Sequence, residues 1–280
     1  MEGMQQATVM NDQQSKAGYD RNDMLVEHVD DVLVLTLNKP QTRNATTPGM
    51  LVVALEEIQR VRERQAARAI LVTGAGKSFC AGGDMSGGGL KKLRKTVERS
   101  MVKGVNRWME AFRNVPVPVV AAVNGAAVGV GFGLAMSADI VVCGHSSRFI
   151  TGFSRLGVVL DGGLSWFLPN QIGARRAMAA SLLGDEAIDA ERALDWGLVH
   201  AVHEDDALLE KGMDLARRLA RGPTKALGLI KQQIDRGQQS NLVDALMFEA
   251  KCQGEAFLTE DFLEGVDAFK ERRAPEFKGF

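Results

Sequence analysis

Two glycine-rich turns, each entered from a short apolar run, constrain this chain more than any other feature. Ala69-Ile70-Leu71-Val72 leads into TGAGKSFCAGGD, residues 73–84, and Val117 to Val123 leads into VNGAAVGVGFGLAMSAD, residues 123–139. An apolar run of this length bounded by glycine reads as a strand buried on both faces, which belongs in a parallel sheet covered by helices. Glycine then lets the backbone turn where other residues cannot and lets another group approach the main chain closely. What the two turns hold is the question the sequence poses.

Phosphate is the first candidate, because Gly74-Ala75-Gly76-Lys77-Ser78 ends like a P-loop. That pattern needs a glycine where Leu71 stands, inside the strand, and a helix directly after Ser78, where Phe79-Cys80-Ala81-Gly82-Gly83 is too rich in glycine to start one. A nucleotide-binding protein is thus a weak alternative, to be tested by ATP or GTP binding with magnesium. The second turn carries Gly129, Gly131 and Gly133, but a dinucleotide fingerprint wants glycine at Leu134 and an acid further on than Asp139. Small residues for tight helix packing explain it better.

Composition narrows the partners. The chain has 280 residues, 45% hydrophobic, with 34 basic and 35 acidic side chains and a net charge of −1. Such a balance offers no field to draw nucleic acid or an anionic membrane. Cys80, Cys143 and Cys252 are widely spaced and lack any Cys-x-x-Cys, so neither a disulfide framework nor a metal site is expected, and a reducing, cytoplasmic setting fits. The longest apolar run, Val115 to Val123, is interrupted by Pro116 and Pro118 and falls far short of the roughly 18 residues that span a bilayer. Residues 1–22 are polar, with Glu2, Asp12 and Asp20, and read as a disordered tail rather than a targeting signal.

Periodicity organises the remainder. Met24 to Val29 and Val32 to Leu37 alternate like paired strands across Asp30-Asp31, and Thr47-Pro48 opens a helix to about Arg64. Strand, glycine turn and helix then recur: Leu90 to Arg113 has helical spacing, Val117 to Val123 is a strand, and further strands lie near Ile140 to Cys143 and Phe149 to Thr151. From Leu164 the text is helical apart from a strand at Leu198 to Val202, with helices near 170–183, 189–195, 206–221, 223–236, 241–257 and 260–272. The expectation is an α/β core over residues 23–203 and a helical region over 204–280 whose apolar faces, marked by Phe257, Phe262 and Phe269, meet another subunit.

The order of these motifs closely resembles the crotonase family, the enoyl-CoA hydratases and isomerases. The likeness spans roughly residues 24–272 and rests on Asn38-Lys39-Pro40 with Asn44-Ala45, Ser78 to Asp84, Pro118 to Asp139, and Ala193 with Trp196-Gly197-Leu198-Val199. The resemblance implies a crotonase-type spiral of strand-strand-helix units, a C-terminal oligomerisation region, a homotrimer or dimer of trimers, and an acyl-CoA thioester as substrate in fatty- or aromatic-acid degradation. Coenzyme A enters as part of that substrate, and no separate cofactor is implied. In the family each glycine turn donates one backbone N–H to the thioester oxygen, and the matching positions are Ala81 and Val130. Fixed amides in a dry site are worth about 3 kcal/mol each to the enolate. Gly82, Gly129, Gly133, Phe79 and Asp84 fall around them, and Lys77 would sit near the CoA phosphates, with a solvated surface role as its alternative.

Family hydratases use two glutamates, at the positions held here by Gly133 and Phe153. Hydration by that route is unavailable. Leu160-Asp161-Gly162-Gly163 instead sets a carboxylate where epoxyphenylacetyl-CoA isomerases carry theirs, with Leu160 in place of a proline, and Ser165-Trp166-Phe167-Leu168-Pro169 continues the likeness. Asp161 has a structural alternative as the N-cap of the helix that follows. Against that stand the resemblance and a setting of Phe153, Val158, Val159, Leu160 and Trp166 that could desolvate the carboxylate into a general base. The expected activity is an enoyl-CoA isomerase in which Asp161 moves a proton from C2 to C4. The alternatives are a hydratase-like enzyme, a dehalogenase-like one in which Asp161 is the nucleophile, and a non-catalytic acyl-CoA binder. Dehalogenases of this type also use a His and a Trp, but here Phe153 replaces the Trp and His28, His145, His200 and His203 fall at no site position.

Overall fold

The computed structural model describes residues 19–84 and 93–280. Residues 1–18 of the expected tail lie outside the described residues, but Asp20 to Asp23 are ordered as a 3-10 turn, tied down by the Arg21–Glu56 ion pair at 2.5 Å.

Strands β1 (Met24–Val29) and β2 (Val32–Leu37) form a hairpin. Asp30 and Asp31 both take positive φ, as a two-residue turn matching the strand twist requires. Helix α1 (Pro48–Arg64) starts where the sequence places it, with Pro48 in its first turn and the Thr47 hydroxyl accepting from the Met50 amide. From there β3 (Ala69–Gly74), β5 (Val119–Val123), β7 (Ile140–Gly144) and β10 (Ala201–His203) add in parallel, giving the order β1-β2-β3-β5-β7-β10. All residues of β3 and β5 are buried, which is why they read as unbroken apolar runs.

Each central strand is followed by a short strand of a second sheet, and this the glycine-rich text concealed. The stretches expected as plain loops contain β4 (Ser78–Cys80) and β6 (Ala126–Val128), which pair in parallel, and β8 (Arg148–Ile150) and β9 (Ile188–Asp189) complete the order β4-β6-β8-β9. Strand, strand and helix therefore repeat along the chain, turning from one sheet to the other. Within the segment expected as one helix from Leu90, residues 85–92 lie outside the described residues, and Gly104 divides the rest into α2 (Val97–Lys103) and α3 (Val105–Asn114). Helix α4 (Val130–Ser137) follows the second glycine turn, and all of its residues are buried. Helix α5 (Leu164–Leu183) opens at Leu164, takes in the expected 170–183, and breaks at Gly173, whose φ of 77° and ψ of 154° are not helical.

The main core lies between the two sheets and helices α1, α3, α4 and α5, around Phe79, Trp108, Phe112, Phe132 and Phe149. Helix α6 (Ala190–Asp195) leads into β10. A second cluster on the opposite face of the large sheet joins Leu71, Val120, Ala122 and Val142 to Leu208, Ala216 and Ala220 of α7 (Leu208–Ala220). Helices α8 (Thr224–Gly237), α9 (Leu242–Ala256) and α10 (Glu260–Glu271) finish the chain. Lys231 of α8 is anchored to the core by Asp139 at 2.8 Å and the Phe112 carbonyl at 3.1 Å. Phe257 stacks on Phe262 at 4.1 Å, while Phe269 is 85% exposed.

Candidate active site

Strands β4 and β6 bring the two glycine turns together. A Cβ on Gly82, which has a φ of 90°, would stand 2.8 Å from the Val128 carbonyl oxygen and 4.0 Å from the Gly129 Cα. Gly129 itself takes φ 54° and ψ −121° as the residue before α4, a conformation that favours glycine. Val130 opens α4, so its N–H has no acceptor within the helix and points outward from the helix end. Val130 is the position from which the resemblance expects one amide donor.

The other expected donor is corrected by the structure. The Ala81 N–H donates to the Arg43 carbonyl at 2.9 Å and is not free. Two residues on, Gly83 pairs with Thr46 in an isolated parallel bridge whose bond uses the Gly82 carbonyl, and among the described residues nothing accepts from the Gly83 N–H. Among the described residues, a Cβ on Gly83 would meet nothing within 4 Å. Sequence reasoning missed Gly83 because the deciding partner, Arg43, is far away in the chain.

Two asparagines brace the turn before β4. Asn44, with no exposed surface, donates to the Ala75 and Ser78 carbonyls at 2.9 and 2.7 Å and accepts from the Lys39 N–H at 2.9 Å. Asn124 donates to the Gly74 and Gly76 carbonyls at 2.6 and 2.9 Å and accepts from the Gly74 N–H. Lys77, within that turn, is exposed, and Asp84 is half-buried directly after Gly83.

Asp161 does not cap the helix that follows it. The Leu164 N–H donates to the Asp161 main-chain carbonyl at 3.1 Å, closing a turn in which Gly162 and Gly163 have φ of 60° and 78°. Because the backbone closes the turn, the carboxylate is released from capping, and α5 has no side-chain cap. Its Oδ1 is buried and has no hydrogen-bond partner among the described residues, and burial pushes the carboxyl up to about 6. The turn lies on α4: a Cβ on Gly162 would be 3.2 Å from the Val130 Cα, and one on Gly133 would stand 2.8 Å from the Gly162 carbonyl carbon. Gly133 therefore serves as the floor of the Asp161 turn, and no larger side chain fits there.

The remaining site residues divide. Phe153 is 8% exposed and its Cζ lies 3.5 Å from where a Gly129 Cβ would be, so it walls the second glycine turn. Phe79 has no exposed surface and packs in the core instead of facing a ligand. Trp166 packs edge-on against Phe167 at 5.2 Å and under the Arg113 guanidinium at 5.9 Å, toward the end of α3. The apolar screen expected from Val158 and Val159 is absent from this chain's own fold, since they are 54% and 84% exposed. The desolvation of Asp161 therefore does not come from Val158 and Val159, whereas Leu160 and Trp166 do pack against the core.

Comparison with known proteins gives the family. The chain matches the enoyl-CoA hydratase/isomerase pattern over residues 27–279. It is 38% identical over 264 residues to the 1,2-epoxyphenylacetyl-CoA isomerase of Escherichia coli (strain K12), covering 92% of this chain and 99% of that protein. To the 2,3-dehydroadipyl-CoA hydratase of the same organism it is 33% identical over 258 residues, 92% of this chain and 99% of that protein. The crystal structure of an enoyl-CoA hydratase from Bacillus anthracis superposes with a TM-score of 0.87 at 30% identity, covering 92% of this chain and all of that one. With two glycine turns meeting beside a buried carboxylate on the crotonase fold, the chain belongs to the enoyl-CoA hydratase/isomerase family.

Proposed function

We propose that the protein is an enoyl-CoA isomerase that moves a double bond through an enolate, with Asp161 as the only acid–base group and the N–H groups of Gly83 and Val130 receiving the negative charge. The observation that carries this reading is the Asp161 carboxylate: one oxygen buried, with no hydrogen-bond partner among the described residues, on a turn pressed against the residue that opens α4. In its ionised form it takes a proton from C2 of a 3-enoyl thioester, and the electron pair of that C–H bond moves onto the thioester oxygen. The protonated carboxyl then returns the same proton at C4, the electrons shift back, and a 2-enoyl thioester leaves. Nothing is added or lost, so one carboxylate suffices.

Hydration needs a second group to handle water, and neither Gly133 nor Phe153 supplies one. Dehalogenation lacks its His and Trp. The same reading places the CoA phosphates near exposed Lys77, the protein in the cytoplasm, and three or six chains in the working assembly. Asp161→Asn in heavy water is the decisive experiment. Isomerisation and α-proton exchange on a 3-enoyl-CoA fall by at least about 10²-fold, while thioester affinity and folding hold. Unchanged turnover overturns the proton-shuttle role, and a wild type that binds the thioester with neither double-bond migration nor exchange identifies a non-catalytic binder.

A further inference from the structure

Strand β4 has different neighbours on its two edges. On one side the Ala81 N–H donates to the Arg43 carbonyl, and the Gly82 carbonyl accepts from Thr46 twice, from its N–H at 2.8 Å and its hydroxyl at 3.2 Å. On the other side Cys80 pairs with Ala127 of β6, which leads into Gly129 and Val130. In a trans peptide the C=O of one residue and the N–H of the next point in opposite directions. The described residues contain no cis bond. With the Gly82 carbonyl pinned toward Thr46, the Gly83 N–H points across β4 toward the Gly129–Val130 side.

Thr46 and its neighbour Thr47 divide the labour. The Thr47 hydroxyl caps α1 by accepting from the Met50 amide, and that use explains it fully. The Thr46 hydroxyl does nothing for the helix. It is a second donor on a carbonyl that the Thr46 backbone already satisfies. Two donors on one carbonyl oxygen draw electron density out of the amide and strengthen the N–H at its other end, by about 10–30% per bond in chains of this kind.

We propose that the Thr46 hydroxyl is a positioning residue for the oxyanion site, fixing the plane of the Gly82–Gly83 peptide and polarising the Gly83 N–H. The inference rests on the reading of Gly83 as a donor. If one donor is worth about 10²–10³-fold, a change of 10–30% in its strength alters the rate about two- to eightfold.

The test compares Thr46→Val, which keeps the shape and the backbone N–H but loses the hydroxyl, with Thr46→Ser, which keeps the hydroxyl. The probe is phenylacetyl-CoA isotopically labelled at the thioester carbonyl, followed by difference infrared spectroscopy, with α-proton exchange in heavy water, affinity and thermal unfolding measured alongside. In the wild type the bound carbonyl stretch lies below its free value. Thr46→Val moves it back toward the free value and slows exchange about two- to eightfold with affinity nearly constant, and Thr46→Ser restores most of both. A wild-type stretch and rate in Thr46→Val overturn the proposal, as does equal impairment of both variants, which marks a packing role. A wild type that leaves the stretch at its free value overturns the oxyanion reading itself.

Discussion

Gly133 and Gly162 share one small volume: a Cβ on Gly133 would collide with the carbonyl oxygen of Gly162, and one on Gly162 would sit 3.4 Å from the Gly133 Cα. A side chain at position 133 and the present course of the Asp161 turn therefore exclude each other. Gly133→Ala forces the Asp161 turn away from α4 and is expected to cost about 1–3 kcal/mol in urea unfolding. It also lowers isomerisation at least tenfold through the displaced carboxylate, by about 1.4 kcal/mol or more of barrier. Gly133→Glu gains no hydratase activity. Hydration of crotonyl-CoA by that variant at about 10 per second would show that the turn yields more easily than its contacts imply.

Burial raises the Asp161 carboxyl from its ordinary 3.8 to about 6. The folded state thus holds this proton more tightly than the unfolded chain. Its stabilising contribution is complete below about pH 4 and is lost as the pH rises through about 6. Activity follows the opposite course, since the base must be ionised: kcat/KM is expected to climb through about pH 6 and level off above it. Asp161→Asn removes this group's share of the stability change, which parallel thermal unfolding across the same pH range will read.

Asn44 makes three hydrogen bonds from a fully buried position. Asn44→Ala strands two carbonyls and one N–H beneath β4, for an expected loss of about 2–4 kcal/mol in chemical denaturation. Asn44→Asp keeps only the bond from Lys39 and sets a negative charge against two carbonyl oxygens, so it is expected to be at least as unstable at neutral pH. Stability within about 0.5 kcal/mol of the wild type in either variant would contradict the bracing role.

Apolar side chains stand free on the last helices and their connection, with Leu258 at 88% and Phe269 at 85% exposure. The proposed assembly would cover this surface. Light scattering at micromolar concentration is expected to give three or six chains, and Phe269→Glu to shift the population toward monomer. A monomeric wild type would leave this face unexplained.

Much of the fold was legible because its signals are local. Thr47-Pro48 starts α1 with a hydroxyl and a fixed φ, and Asp30-Asp31 turns a hairpin, whatever the rest of the chain does. The site was legible to family resolution, and its atoms were not. Whether Ala81 or Gly83 offers a free amide depends on Arg43, which reaches β4 only after folding. Asp161 as a cap or as a free carboxylate depended on whether Gly162-Gly163 closes the turn through the backbone, and both readings fit the same letters. Val158 and Val159 are apolar in sequence yet exposed, because burial is a property of neighbours and not of side chains.

Helix α4 has no exposed residue from Val130 to Ser137. Dissolved ions cannot gather along such a helix, so the positive end of its dipole acts on a charge at Val130 without the attenuation that salt imposes on surface fields. On the proposed reading, capture of the CoA phosphates by exposed Lys77 is expected to weaken as ionic strength rises, whereas the pull on an enolate at Val130 is not. An enzyme built in this way divides its sensitivity to the medium: how often it meets its substrate varies with the surrounding electrolyte, and how fast it converts what it has bound does not.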